Sequence, residues 1–220
     1  MRFFKPTALA LLISAPAFCW SQSAKKYFAA GETFEKNQNY KEALESYSKA
    51  LELDPKFEKA YIARAAIYEK QNKKAEAIQD FQKALAFSPK EKTYYYEAGR
   101  LMAELKQYNE ADNMLRKALE RDKGYLDAIQ AETKVLIALK DYNYGLTVTK
   151  MGLDEKKTAL TYYNHAVMLD SLKNYAEAEK FYKNSRSEDP KFIPAYIGLA
   201  LVSVKLNKPD EALKIVNEGL

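Results

Sequence analysis

One cysteine, one histidine and one tryptophan stand in a chain of 220 residues. A lone Cys19 cannot close an intrachain disulfide, and no His/Cys/Asp cluster at ligand spacing gives reason to expect a metal or other cofactor. Glycine and proline number seven each, which leaves few of the turn residues that an all-β sandwich consumes. There is no Gly-rich phosphate loop and no serine nucleophile elbow. No run of five or six like charges occurs, and 35 basic residues against 30 acidic ones leave a net +5. Basic stretches carry their own acids, as in Lys41-Glu42 and Glu120-Arg121-Asp122-Lys123, an interspersion that excludes a phosphate-neutralising face and with it a nucleic-acid partner. What remains is 47% apolar and 30% charged, with 17 tyrosines: a globular, helical composition.

The first 21 residues read as an export signal. Arg2 and Lys5 form a short positive region, Thr7 to Phe18 is apolar or small throughout, and Pro16 precedes two cleavage points, after Ala17 and after Ser21. The apolar stretch is too short to span a bilayer, and no other segment reaches the ~18 apolar residues that a span requires. Cys19 offers a lipid attachment site, although bulky Phe18 stands where a lipoprotein signal has a small residue. These features place the protein at the bacterial cell envelope, in the periplasm or secreted, with an outer-membrane lipoprotein as the alternative.

Residue types then recur with a period of about 34. Counting from Ala24 as position 1, positions 4, 8, 11, 17, 20, 24, 27 and 32 hold Tyr27, Gly31, Phe34, Tyr40, Ala43, Tyr47, Ala50 and Pro55. From Glu58 the same positions hold Tyr61, Ala65, Tyr68, Lys74, Ala77, Phe81, Ala84 and Pro89. The pattern begins again at Lys92, Leu126, Ala159 and Ile193, dividing the chain into 24–57, 58–91, 92–125, 126–158, 159–192 and an incomplete 193–220. Spacings of three and four put each small or apolar stripe on one face of a helix, so each repeat predicts two helices. Small residues at 8 and 20 let the two backbones approach, while large ones at 4, 11 and 24 fill the space around the contact.

This pattern resembles the tetratricopeptide repeat, over about residues 24–220. The resemblance implies an all-α fold, a right-handed solenoid of stacked antiparallel helix pairs, and a concave groove lined by the first helix of each pair. The fourth repeat departs from it. Gly145 and Gly152 replace packing alanines, Thr133 and Thr149 are polar, and no proline closes the repeat, which predicts the least stable helix near residues 144–151 and a hinge as its sharper reading.

In such proteins the groove takes protein or peptide segments, and its positions can be named here. Position 5 reads Phe28, Ile62, Tyr96, Gln130, Tyr163 and Ile197; position 9 includes Arg100 and Lys134, two positive charges at mid-groove. The expected site centres on Tyr96, Arg100, Lys134 and Tyr163 and suits a partner with an acidic group, tyrosine and arginine being favoured interface anchors. The carboxylate clamp that some members of this family use for chaperone C-termini is missing, since Phe28, Glu32 and Ala63 stand where its Lys, Asn and Asn belong. His165, at position 7 of the fifth repeat, reads as a half-buried structural residue, and the plentiful Asp and Glu as solvated outer faces, so no enzymatic activity is expected. The sequence stops inside the second helix of the sixth repeat with Leu213, Ile215 and Val216 available for packing. That end is expected to associate with a partner or to continue into a longer protein whose N-terminal interaction module this is. The other reading is a structural component of an envelope assembly complex, lipid-anchored through Cys19.

Overall fold

The computed structural model describes residues 14–219, with side chains from residue 22 onward. The positive region at Arg2 and Lys5 and the Cys19 side chain lie outside the described residues. Among the described residues there are twelve α-helices and no strand: α1(Ser14–Lys36), α2(Tyr40–Leu53), α3(Glu58–Lys70), α4(Lys74–Phe87), α5(Lys92–Glu104), α6(Tyr108–Arg121), α7(Leu126–Leu139), α8(Tyr142–Glu155), α9(Ala159–Ser171), α10(Tyr175–Glu188), α11(Ile193–Lys205) and α12(Pro209–Gly219). Within each compact module successive helices pack against one another, the stacking of helix pairs from which an α-solenoid is built. Two compact modules divide the chain, one ending at Lys90 and the other beginning at Glu91.

The period is written into the backbone. Gln38, Asn72, Lys106, Lys140, Lys173 and Asn207 all have φ near +60°, and each is position 15 of its repeat. One residue later an amide donates to a carbonyl five residues back, Asn39 to Phe34 and Asp141 to Leu136 both at 2.9 Å. This is the Schellman arrangement, which gives the last free carbonyls of the first helix a partner. Between repeats the chain turns on aspartates. Asp54, Asp122 and Asp189 each accept from the amide two residues on, at 3.0, 3.0 and 2.9 Å. The fourth repeat lacks that aspartate and ends on a different device: a capping box in which Thr158 and Thr161 satisfy each other's backbone amides at the start of α9.

In the first module the ring of Tyr47 is fully buried over Gly31, where a Cβ would meet ring carbons at 2.5 and 2.6 Å. In the second module the same contact recurs as Gly99 under Leu115, and a different one sets Gly198 of the sixth repeat under Tyr182 of the fifth. Gly145 and Gly152 prove to be contacts of the same kind. A Cβ at Gly145 would lie 2.5 Å from Met168 Sδ, and one at Gly152 would lie 2.8 Å from Ile129 Cδ1. Helix α8 runs through both without a break, and close packing accounts for the two glycines.

The acids are not all on solvated faces, which corrects the sequence reading. Asp80, Glu132 and Glu179 are buried. Asp80 on α4 accepts two bonds from Arg64 on α3 at 2.8 and 2.7 Å, and Glu179 accepts from Lys183 of its own helix at 2.7 Å and from Lys208, just before α12, at 3.3 and 3.2 Å. At the far end Ile215 joins the core, whereas Leu213 and Val216 are exposed.

Candidate partner-binding cleft

Helix geometry assembles this site from two short stretches. On α5, Tyr96, Arg100 and Glu104 are four residues apart and share a face; on α7, Asp127, Gln130 and Lys134 do the same at spacings of three and four. The two rows bound a cleft of about 390 Å³ with a floor of Ala103, Ala131, Val135 and Ala138, closed at one side by Tyr108. Small floor residues are what make the depression, since any larger side chain there would fill it.

Charge is distributed differently from the sequence expectation. The Arg100 guanidinium donates to Glu97 at 2.7 Å and to Glu104 at 2.8 Å, so an incoming acid would have to compete with two carboxylates already in place. Lys134 and Asp127 are exposed and have no ion-pair partner among the described residues. The cleft is thus nearly charge-balanced, with one free cation and one free anion. Tyr96 stands with its ring centroid 5.2 Å from that of Tyr125, whose hydroxyl is pushed up to about 12, chiefly by burial and next by the Asp127 charge. Tyr125 is therefore a neutral wall that orients Tyr96.

The eight expected residues fall into four groups. Tyr96, Arg100, Gln130 and Lys134 share the cleft. Tyr163 is not among its lining residues: its ring packs between Tyr182 at 5.8 Å and Phe192 at 5.6 Å, and burial raises its hydroxyl pKa. Ile197 belongs to an exposed apolar face of α11 with Ile193, Leu201 and Val204. Phe28 and Ile62 lie in the first module, where Phe28 packs against Tyr47 and Phe57 at 5.5 and 4.9 Å. Asp127 and Tyr108 complete the cleft without having been singled out. The signal for Asp127 was its place at position 2, one turn before Gln130; Tyr108 stands at position 17 of the period, as Tyr40, Tyr142 and Tyr175 do, which marks the start of a second helix and not a groove residue.

His165 lies elsewhere, its Nδ1 2.9 Å from Thr149 Oγ1 and its ring edge-on to Phe181 at 4.6 Å. The Thr149 hydroxyl donates to the Gly145 carbonyl at 2.9 Å, so it can only accept from the imidazole. Burial, aided by Lys150, lowers the His165 pKa. A neutral ring with Nδ1 protonated bridges two repeats.

The TPR repeat pattern matches residues 31–72, and the tetratricopeptide repeat pattern matches residues 58–91, 93–125 and 171–220. No curated protein is similar to the chain at a significant level. Among solved structures, a tetratricopeptide repeat protein from Parabacteroides merdae ATCC 43184 superposes with a TM-score of 0.75 at 21% identity, over 90% of this chain and 78% of that one. MamA from Desulfovibrio magneticus RS-1 gives 0.66 at 18% identity, covering 74% and 92%. YrrB, described as a TPR protein with an unusual peptide-binding site, gives 0.62 at 21% identity, covering 80% and 91%. The paired helices, the left-handed residue at position 15 of every repeat and the pattern matches over most of the length make this chain a member of the tetratricopeptide repeat family.

Proposed function

We propose that this protein is a non-enzymatic scaffold that binds a segment of a partner protein along its first-helix faces, with the cleft between α5 and α7 as the principal contact. One observation carries the reading: four residues of the expected inner row, on two different helices, line a single cleft with an apolar floor and a tyrosine at either side. Clefts of this make-up, apolar with a few polar groups on the rim, are the usual form of a binding site. YrrB supplies the analogy of a peptide-binding relative by fold. Family membership supports a binding role in general, and the choice of cleft is our own.

The test is affinity purification of tagged protein from its native envelope after crosslinking, beside a Tyr96→Ala/Lys134→Ala variant verified as folded. Tyr163 is left intact because it belongs to the core. Partners that appear with the parent and vanish with the variant support the cleft; the same partners with both chains would place binding elsewhere. We further propose export, on the strength of Arg2, Lys5 and the apolar residues 7–18. Intact mass of the mature protein tests it, since cleavage after Ser21 removes the whole signal, whereas retention with lipid on Cys19 adds mass and favours the anchored envelope component.

A further inference from the structure

Asp127 and Lys134 lie seven residues apart on one face of α7, two turns or about 10 Å along the helix axis. Both are exposed, neither has an ion-pair partner among the described residues, and Gln130 stands between them with an amide that can donate and accept. The remaining charges around the cleft are consumed: Arg100 is held by Glu97 and Glu104. The rim therefore presents one unsatisfied anion and one unsatisfied cation at a fixed separation, over an apolar floor.

We infer that the cleft takes a peptide segment bearing one basic and one acidic group about 10 Å apart, the basic group over Asp127 and the acidic group over Lys134, so that the ligand lies in one direction only. The inference rests on the cleft being the partner site and goes beyond it in naming the ligand's charge pattern and polarity. A segment with a single acidic group, as the sequence suggested, would leave Asp127 facing it unpaired. A reversed segment would set like charge against like at both ends, and rim charges of this kind act chiefly on orientation and partner choice.

The experiment pans a library of displayed random dodecapeptides against the purified chain and two variants. In Asp127→Lys/Lys134→Asp the two charges exchange places with net charge unchanged; Ala138→Trp fills the cleft from an exposed floor position. The expected result is that the parent enriches peptides with a base and an acid at constant separation. The exchanged variant should enrich the opposite order and bind the parent's best peptide at least tenfold more weakly. Peptides that are lost with Ala138→Trp but show one sign of charge, or bind the exchanged variant equally well, overturn this inference and leave the cleft standing. Peptides that bind Ala138→Trp as well as the parent, or a parent that enriches none, overturn both.

Discussion

Glu132 is a carboxylic acid sealed from water: it is fully buried on α7, and neither carboxyl oxygen has a hydrogen-bond partner. From α6 it faces Asp112 and Arg116, and from α8 and its N-cap Tyr144 and Asp141. Arg116 cannot neutralise it, because its Nε donates to Asp112 at 2.8 Å and stands 3.9 Å from Glu132 Oε1, while its guanidinium lies 3.6 Å from the Tyr144 ring centre. Burial first, and the neighbouring Asp112 carboxylate next, push the Glu132 pKa up to about 9, so the folded protein holds a neutral acid at pH 7. The unfolded chain releases that proton near the ordinary glutamate value of about 4.3. The sign follows: the contribution to stability is fully present below that value and is lost as pH rises towards about 9. Glu132→Gln keeps the shape and removes the proton. We expect it to stabilise the protein by about 2 kcal/mol at pH 7 and to flatten the decline between pH 5 and 9. Urea midpoints of parent and variant at pH 5, 7 and 9 check this, and parallel curves would refute it. Asp80 shows the contrast within one protein, since Arg64 reaches it with two N–H groups at 2.8 and 2.7 Å, a fork that Arg116, with its Nε on Asp112, does not offer Glu132.

At the scale of the helix pair, each turn holds a non-glycine residue in the left-handed region, at a cost of about 1 kcal/mol that glycine would not incur. Three of the six are lysines, Lys106, Lys140 and Lys173; two are asparagines, which tolerate that region better. Lys140→Gly is expected to raise stability by up to ~1 kcal/mol and Asn72→Gly by less. Thermal denaturation of the pair decides it, and equal shifts would mean that the lysine is not strained. The helix contacts give a second ordering. A Cβ at Gly198 would lie 2.4 Å from the buried Tyr182 ring, which is rigid, whereas one at Gly145 would meet the thioether of Met168, which is adaptable. Gly198→Ala should therefore destabilise by about 2 kcal/mol and Gly145→Ala by clearly less, the better helix propensity of alanine offsetting part of the strain. A larger loss at Gly145 in denaturant titrations would contradict this packing argument.

Across the molecule, what was legible in the sequence was whatever depends on a residue's own place in the period. The small residues at positions 8 and 20 and the large ones at 24 could be assigned because most repeats use them for the same contact, the fourth, with Thr133 and Thr149, departing from it. What was not legible depends on the side chain that the next repeat sets opposite. Tyr163 counts as an inner-row residue by position, yet Phe192 from the following turn draws it into the core. Glu132 looks like one more surface acid until α6 and α8 close over it. The Arg100 pairs were within reach, since Glu97 and Glu104 are three and four residues away on the same helix. The left-handed residue at position 15 has one more consequence. Removing residues 107–140 would join Lys106 directly to Asp141, whose amide would take the place of Gln107's on the carbonyl of Met102. The helix pair so formed would close on the same hinge pin as every other, which makes the chain a set of interchangeable cassettes whose number can change by whole periods without inventing a new joint.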